Sequence, residues 1–389
     1  MDGRDEAIRF VHTADWHLGL ANISKRDDNG IPIQYSAIDK SAHEIVDFVR
    51  SNDVELALMC GDILHTRNPS PTVENILAKI LHELTSDGTV VMYLIGNHEI
   101  PGWGDHPVKI YDTLDIPVVI IADDVRLHKV ELRSGKKIQI ATIPYPVDFD
   151  IGDAVSSLAS SIDTRFPSIA MIHSFVSGAK LSGSDLNLLP DEPHLEPGSF
   201  DNLPFDYIAL GHIHRYQQIW GKPPAVYSGS LQKVTFAEEN EKKGFVYGKI
   251  SQSESKFDVR WNFVPVQSLN FITLNIDVSG TNNPTEVIVQ KLKNRPLTNS
   301  VVRLKITTSS DDPKISISRI KKSAQEIGIL AIRFERNVID KSYGKIESAI
   351  PTGNISADVQ RYIVENHPEY RDKIPEILKI IEKLSEPEK

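Results

Sequence analysis

Histidine, aspartate and asparagine recur in five short motifs in one order along the chain: Asp15-Trp16-His17, Gly61-Asp62, Gly96-Asn97-His98-Glu99, His173 and Gly211-His212-Ile213-His214. Each offers nitrogen or oxygen donors of the kind that grip divalent cations. Each follows a run of apolar residues rich in β-branching, at 8–11, 55–59, 90–95, 168–172 and 207–210. Residues at the carboxyl ends of neighbouring strands converge in space, and open α/β sheets build their sites there. Convergence at five successive strand ends points to a metal centre and to hydrolytic or transfer chemistry.

The candidate ligands are Asp15, His17, Asp62, Asn97, His173, His212 and His214. They are too many for one ion and suit two ions with one shared carboxylate. The mixture of imidazole and carboxylate fits Mn, Fe or Zn better than Mg or Ca. Two-metal sites hold their ions roughly 3.5–4 Å apart and clamp the attacking and leaving oxygens of an in-line phosphoryl displacement. His98 adjoins Asn97 without needing to be a ligand. Its expected role is to donate a hydrogen bond or proton to the phosphate or leaving oxygen, with Glu99 orienting it.

Alternating strands and helices must position these motifs. Residues 1–264 read as such an alternation. Helical spacing recurs at Ile38, Ala42, Ile45 and Val49, and again at Val73, Ile76, Leu77, Ile80, Leu81 and Leu84 after Pro71-Thr72. Further strands are expected at 118–121, 125–132, 137–143, 225–228, 244–250 and 257–264. Helices flanking two packed sheets is the natural layering. Composition shifts at Pro265 and Gln267-Ser268. Residues 265–348 then read strand, helix, strand, helix, strand, a small α+β domain. Residues 349–389 comprise a linker containing Pro351 and Gly353, then two short amphipathic helices at about 356–365 and 370–384. The second carries Ile374, Ile377, Leu378, Ile381 and Leu384 on one stripe.

A chain of 389 residues calls for two or three domains. Its single cysteine, Cys60, leaves no internal disulfide framework, fits a reducing cytosol and reads as a small core residue. Residues 1–9 are charged and lack the apolar stretch of a signal peptide, and no run approaches a membrane span, so a cytoplasmic location is expected. The net charge of −10 argues against a simple nucleic-acid binder. The distribution qualifies this, because residues 291–345 hold 13 Lys and Arg against 5 Asp and Glu, a local balance of +8. A basic segment beside a metal site is suited to a polyanion.

The five motifs together resemble the full motif series of the calcineurin-like metallophosphoesterases. The resemblance implies a four-layer αββα sandwich with a dinuclear centre. It assigns Asp15, His17, Asp62 and His214 to one ion, and Asp62, Asn97, His173 and His212 to the other. More narrowly, residues 12–19 (His-Thr-Ala-Asp-Trp-His-Leu-Gly) and Gly61-Asp62-Ile63-Leu64-His65 resemble the SbcD-type DNA repair exonucleases. So do Gly211-His212-Ile213-His214, Tyr227-Ser228-Gly229-Ser230 and Lys243-Gly244-Phe245. That match covers about 8–250. By architecture, the α+β domain is similar to the DNA-capping domain of those enzymes, and the tail to their hairpin for an SMC-like ATPase of the SbcC type. What this implies is a Mn-dependent exonuclease and endonuclease acting on double-stranded DNA ends and hairpins. A homodimer contact is implied at the helix near 71–84 and at 111–114. Glu99 departs from the Asp usual at that position, and the loop 21–35, with Lys25 and Arg26 beside Asp27 and Asp28, is another departure.

His65 is expected to touch the phosphate or the DNA end, and Arg67 and Asn68 the DNA backbone. Lys25, Arg26, Lys321 and Lys322 are further candidate DNA contacts. His12 reads as a satisfied core histidine, and Trp16 as packing under the site. Two rival readings stand beside the nuclease. One is a small-molecule phosphodiesterase or nucleotidase on the same core, which needs neither a basic cap nor a helical tail. The other is a scaffold that binds DNA ends and the ATPase with little chemistry.

Overall fold

The protein is described from a computed structural model covering residues 7–101, 103–114, 116, 118–183, 192–253, 256–339 and 354–385. Along the chain come β1 (Ile8–Thr13), α1 (Ile33–Ser51), β2 (Leu56–Cys60), α2 (Pro71–Thr85), β3 (Val90–Leu94), α3 (Lys109–Thr113) and β4 (Val119–Ala122). Next are β5 (Arg126–Glu131), β6 (Lys137–Ile143), α4 (Ile151–Ser160), β7 (Ser168–His173), β8 (Phe175–Val176), β9 (His194–Leu195) and β10 (Tyr207–Gly211). Then follow β11 (Gln217–Gly221), β12 (Pro224–Tyr227), β13 (Gly244–Ser253) and β14 (Lys256–Pro265).

These strands form two six-stranded sheets, ordered β14-β13-β1-β2-β3-β4 and β11-β12-β10-β7-β6-β5. β1 to β4 run parallel in the first sheet, and β6, β7, β10 and β12 run parallel in the second. The register brings the carboxyl ends level. Thr13 pairs with Met59, Cys60 with Leu94, and Gly211 with His173.

Alternation along the strands sorts the core into layers. Phe10, Leu56, Leu58, Val90 and Met92 of the first sheet meet Ile138, Ile140, Ile169, Met171, Tyr207 and Ala209 of the second. The opposite face, with Val11, Ala57, Met59, Val91 and Tyr93, packs against α1 and α2 through Ile38, Ala42, Ile45, Val49, Val73, Leu77 and Leu81. Ala141, Ile143, Ala170 and Ile172 pack against α4 through Ile151, Ala154, Val155 and Leu158. Strands buried on both faces explain the near-continuous apolar runs in the sequence. The result is a four-layer α/β/β/α arrangement. Helix α4 is an addition to the sequence reading; the Asp150 side chain accepts the Asp153 N–H at its start.

By compactness the chain divides into two units: residues 1–273 with 296–303 and 324–333, and residues 274–295, 304–323 and 334–389. A three-stranded sheet follows the sandwich in sequence, from β15 (Asn270–Asp277), β16 (Ser300–Ser309) and β17 (Ala331–Ile339) in that order, with α5 (Pro284–Lys293) and α6 (Ile317–Ile327) in the connections. Asn283 caps α5, which buries Ile288, Val289 and Leu292.

The tail holds α7 (Ile355–Asn366), a 3₁₀ turn at Pro368–Lys373 and α8 (Ile374–Ser385). The sequence reading starts the last helix at Tyr370, whereas α-helix begins only at Ile374. Pro375 is the reason: its ring would clash with the carbonyl of Arg371 in a longer helix, and it has no N–H to donate there. Among the described residues no helix is long and apolar enough to cross a membrane. The expected linker residues 349–353 lie outside the described residues.

Candidate metal centre

Five strand ends deliver the seven candidate ligands to one place. After β1 the chain continues beside the loop that follows β2: the Asp15 N–H donates to the Gly61 carbonyl and the His17 N–H to the Asp62 carbonyl, both at 3.0 Å. Asp15, His17, Asp62 and His212 all have positive φ, at 54°, 48°, 52° and 99°. Such backbone is costly for non-glycine residues and gathers at functional sites. The glycines before the ligands make room. Gly61 has φ 84°, and a Cβ on it would strike the His173 ring. A Cβ on Gly211 would strike the Cys60 carbonyl.

Asp62 stands at the centre. Its Oδ2 lies 3.6 Å from His173 Nε2 and 3.9 Å from both His17 Nε2 and His98 Nε2. Two ligand groups form on either side. In one, Asp15, His17 and His214 bring donor atoms within 4.8 Å of one another, and His17 Nε2 is 2.9 Å from His214 Nε2. In the other, Asp62, His173 and His212 do the same, with Asn97 Oδ1 3.1 Å from His173 Nε2 and 3.2 Å from His212 Nδ1. Asp15 also accepts the His212 backbone N–H at 2.9 Å, tying the two groups together.

Burial sets the protonation. It drives His17 down to about 3, against the pull of Asp62 and helped by His98 and His65. His214 falls well below its ordinary value, through burial and then His17. Both imidazoles are therefore neutral, the form that ligates. Burial also opposes charge on His173, yet Asp62 and Asp15 raise it to about 9. Asp62 stays ionised well below the usual carboxylate range: burial opposes this, and His173 and His17 outweigh it. A proton on His173 thus answers the Asp62 charge where a cation would otherwise do so. Four imidazoles, two carboxylates and one amide oxygen gathered beside Asp62 fit a pair of divalent cations.

Contacts behind the ligands hold them in orientation. His173 Nδ1 donates to the Cys60 carbonyl at 2.7 Å. Lys243, with its side chain 1% exposed, donates to the His214 carbonyl at 3.0 Å and pairs with Glu238 at 2.7 Å and Glu241 at 3.1 Å. Tyr145 donates to Glu192 at 3.3 Å, and Glu192 Oε1 lies 2.9 Å from His212 Nε2.

The sequence pattern of the calcineurin-like phosphoesterase family matches residues 8–216. The chain belongs to the calcineurin-like phosphoesterases. Their chemistry is the hydrolysis of phosphoesters with divalent metal ions; the chain is a metal-dependent phosphodiesterase, and its His and Asp groups fit a metal site. This phosphoesterase is 24% identical over 339 residues to the SbcD component of the nuclease SbcCD from Staphylococcus epidermidis, a match covering 80% of this chain and 83% of that one. It is 25% identical over 262 residues to the SbcD component of the nuclease SbcCD from Bacillus subtilis, covering 59% and 63%. Among solved structures it is similar to the calcineurin-like phosphoesterase YfkN of Bacillus subtilis, with a TM-score of 0.41, 14% identity, and coverage of 74% of this chain and 97% of that one.

Other sequence candidates of the phosphoesterase fare differently. His98 and His65 stand half-buried beside the ligands, stacked at 5.3 Å, and His98 Nδ1 lies 2.9 Å from the His65 carbonyl. Glu99 does not orient His98, which corrects that expectation. Its buried carboxylate accepts the Leu64 N–H at 3.0 Å, the Gly96 N–H at 2.8 Å and the Tyr93 hydroxyl at 2.6 Å. The chain turns at Gly96, so these backbone donors reach Glu99 before the imidazole can. Burial, and then Asp62, raise Glu99 to about 7.

His12 is a buried core residue between the Tyr207 hydroxyl and the Leu210 carbonyl, and Trp16 is buried with its indole N–H on Thr13 Oγ1. Lys25, Arg26, Arg67, Lys321 and Lys322 are exposed. Arg26 also donates to the Gly30 carbonyl within its own loop. On α8, Ile374 is buried and Ile377, Leu378 and Ile381 are half-buried; the Leu384 side chain lies outside those described.

Tyr145 and Glu192 were missed by sequence reasoning. Tyr145 sits just past β6, so the strand-end rule that found the ligands extends to it. Glu192 lies two residues before β9, and no sequence signal marks it.

Proposed function

We propose that this phosphoesterase is a DNA nuclease of the SbcD type. In this reading it hydrolyses phosphodiesters at double-stranded ends and hairpins in break repair and recombination, as exonuclease and endonuclease. It acts in the cytoplasm with an SMC-like ATPase of the SbcC type. The observation that carries the reading is the pair of ligand groups, one containing Asp62 and the other bringing His17 within 3.9 Å of its Oδ2, with His98 and His65 half-buried beside them. Asp15, His17, Asp62 and His214 would hold one ion; Asp62, Asn97, His173 and His212 the other. Mn suits this mixture of imidazole and carboxylate.

Two such ions would supply an acidified water and offset the charge of the phosphoryl group as it is displaced in line. This chain's own residues do the rest. Asp62 and Asp15 would provide the negative charge that holds both cations. His98, 37% exposed in its side chain and held by the His65 carbonyl, presents Nε2 for donation to the phosphate or leaving oxygen. His65 stacks on it and limits its rotation.

In the same reading residues 1–264 are the nuclease domain, 265–348 the DNA cap and 349–389 the linker and ATPase-binding hairpin. Exposed Lys25, Arg26, Arg67, Lys321 and Lys322 supply phosphate contacts. Trp103, Ile110 and Leu114, exposed at 91%, 56% and 64%, give apolar surface for a symmetric dimer near α3.

The test compares Mn-supported nucleotide release from double-stranded DNA with hydrolysis of bis-p-nitrophenyl phosphate and cyclic nucleotides. DNA hydrolysis is expected. Turnover of the small esters alone makes the chain a small-molecule phosphodiesterase, and DNA binding without turnover makes it a scaffold. Charge reversal at Lys321 and Lys322 is expected to weaken DNA binding and flatten its salt dependence, with small-ester hydrolysis unchanged.

A further inference from the structure

His212 has two ring nitrogens with different surroundings. Nδ1 faces inward, 3.2 Å from Asn97 Oδ1, and that oxygen also meets His173 Nε2 at 3.1 Å. Nε2 faces the other way, buried, and 2.9 Å from Glu192 Oε1. Among the described residues no acceptor lies in line with the Nε2–H bond. Glu192 Oε1 is within reach but off that axis. The Glu192 carboxylate is only 9% exposed, so water screens it little. The Tyr145 hydroxyl donates to the same Oε1 at 3.3 Å, and the Tyr145 ring lies 5.9 Å from the His212 ring and 6.4 Å from that of His173.

A neutral imidazole carries one N–H and one lone pair, and the partner of one nitrogen decides the state of the other. His173 has its partner already: the Cys60 carbonyl takes Nδ1–H, so Nε2, which faces Asp62, is the nitrogen that would give up its proton to a cation. His212 is arranged in the mirror sense. A carboxylate at Nε2 holds a proton there, so that Nδ1, which meets the Asn97 Oδ1 acceptor, is the nitrogen that would give up its proton to a cation. A carboxylate does this more strongly than a carbonyl, because its charge also raises the basicity of the inner nitrogen.

We propose that Glu192, steadied by Tyr145, is a positioning residue that fixes the Nε2–H tautomer of His212 and so aims Nδ1 at the second cation. The proposal rests on the reading that Asp62, Asn97, His173 and His212 hold that ion. It gives a function to Glu192, just before β9, which is not one of the ligands.

Two measurements test this. The first is calorimetric titration of the metal-free chain with Mn. The parent is expected to bind two ions. Glu192→Ala is expected to lose 10–100-fold in affinity at one site with the other unchanged, the range usual for loss of such a partner. Glu192→Gln, whose amide oxygen still accepts, and Tyr145→Phe should each lose less. The second is the ¹⁵N resonance pattern of His212 in metal-free, histidine-labelled chain. The parent is expected to show a protonated Nε2; Glu192→Ala should shift the proton toward Nδ1, with circular dichroism unchanged. Should Glu192→Ala not fold, Glu192→Gln and Tyr145→Phe carry the same comparison. Parent-like affinities and an unshifted tautomer in the variants overturn the proposal. A parent chain that binds no second ion overturns the metal-centre reading instead, and the tautomer measurement still decides the role of Glu192.

Discussion

The Asp62 carboxylate holds the His98 loop as well as facing the ligand cluster: Oδ1 accepts the His98 backbone N–H at 2.9 Å, while Oδ2 lies 3.9 Å from His98 Nε2. One side chain therefore sets both the centre of charge and the place of the imidazole beside it. Asp62→Ala is expected to lose both ions and all hydrolysis, while circular dichroism stays parent-like because the sandwich core lies elsewhere. Elemental analysis checks it, and a variant that still carries two ions ends the bridging role.

For His98 the expectation separates rate from metal. His98→Ala should lower the hydrolytic rate about 10²–10⁴-fold, the range for a lost general acid. Metal content should stay near that of the parent. Loss of an ion on this change would instead make His98 a ligand.

Lys243 is a buried cation whose removal strands a buried anion. Its ammonium lies 2.7 Å from Glu238, which is fully buried, and holds the His214 carbonyl at 3.0 Å. Lys243→Met is expected to destabilise the fold by about 3–5 kcal/mol, because breaking a buried pair leaves one charge uncompensated. Lys243→Met with Glu238→Gln should recover part of the loss. Urea denaturation of the three chains gives the answer, and an unchanged midpoint in the single variant refutes it.

Asp206 supplies a pH dependence away from the metal site. Burial raises its carboxyl to about 6, against the Ser168 N–H donating at 2.7 Å. The folded state holds this proton more tightly than the unfolded state. The contribution to stability is thus present in full below about pH 4 and is lost as pH rises through about 6. Asp206→Asn keeps an acceptor for Ser168 and removes the titration. At pH 8 it should stabilise by about 1 kcal/mol, solvent screening holding the gain below that of full burial. The difference from the parent should vanish near pH 4. Paired denaturation curves at the two pH values measure it, and a difference independent of pH would refute the assignment.

The tail leaves apolar surface on a two-helix hairpin. Ile363 and Ile374 are buried, yet Ile355 and Ile380 are 63% and 58% exposed and Ile377, Leu378 and Ile381 are half-buried. Isolated helices of this length are marginal in water, so the hairpin needs a partner surface. Deleting residues 354–389 is expected to abolish co-purification with an SbcC-type ATPase and to leave Mn-dependent hydrolysis by the chain intact. Aggregation of the shortened chain with the ATPase still bound would make the hairpin part of this protein's own core.

Much of the site was legible because its donors sit one to six residues past apolar runs. The run at 55–59 leads to Asp62, and the run at 168–172 leads to His173. Strand direction and the right-handed helical crossovers then bring the ends of β1, β2 and β3 level by rule. Periodicity likewise placed α1 and α2, whose Ile38, Ala42, Ile45, Val73 and Leu77 are buried as the spacing requires. The late start of α8 was harder to see, because Pro375 acts on a carbonyl four residues earlier.

Sequence alone determined the donor types, their order and the layering, since each follows from local spacing and from which face of an element is apolar. Tertiary structure alone decided what each donor leans on. Glu99, next to His98 in sequence, spends its carboxylate on the Leu64 and Gly96 N–H groups and the Tyr93 hydroxyl, while Cys60, 113 residues from His173, holds that ring through its carbonyl. Glu192 and Lys243 reach His212 and the His214 carbonyl from separate segments. Such contacts have no period and no fixed spacing. They arise only when packing removes water and each buried polar group must find a partner among whatever the fold has brought near.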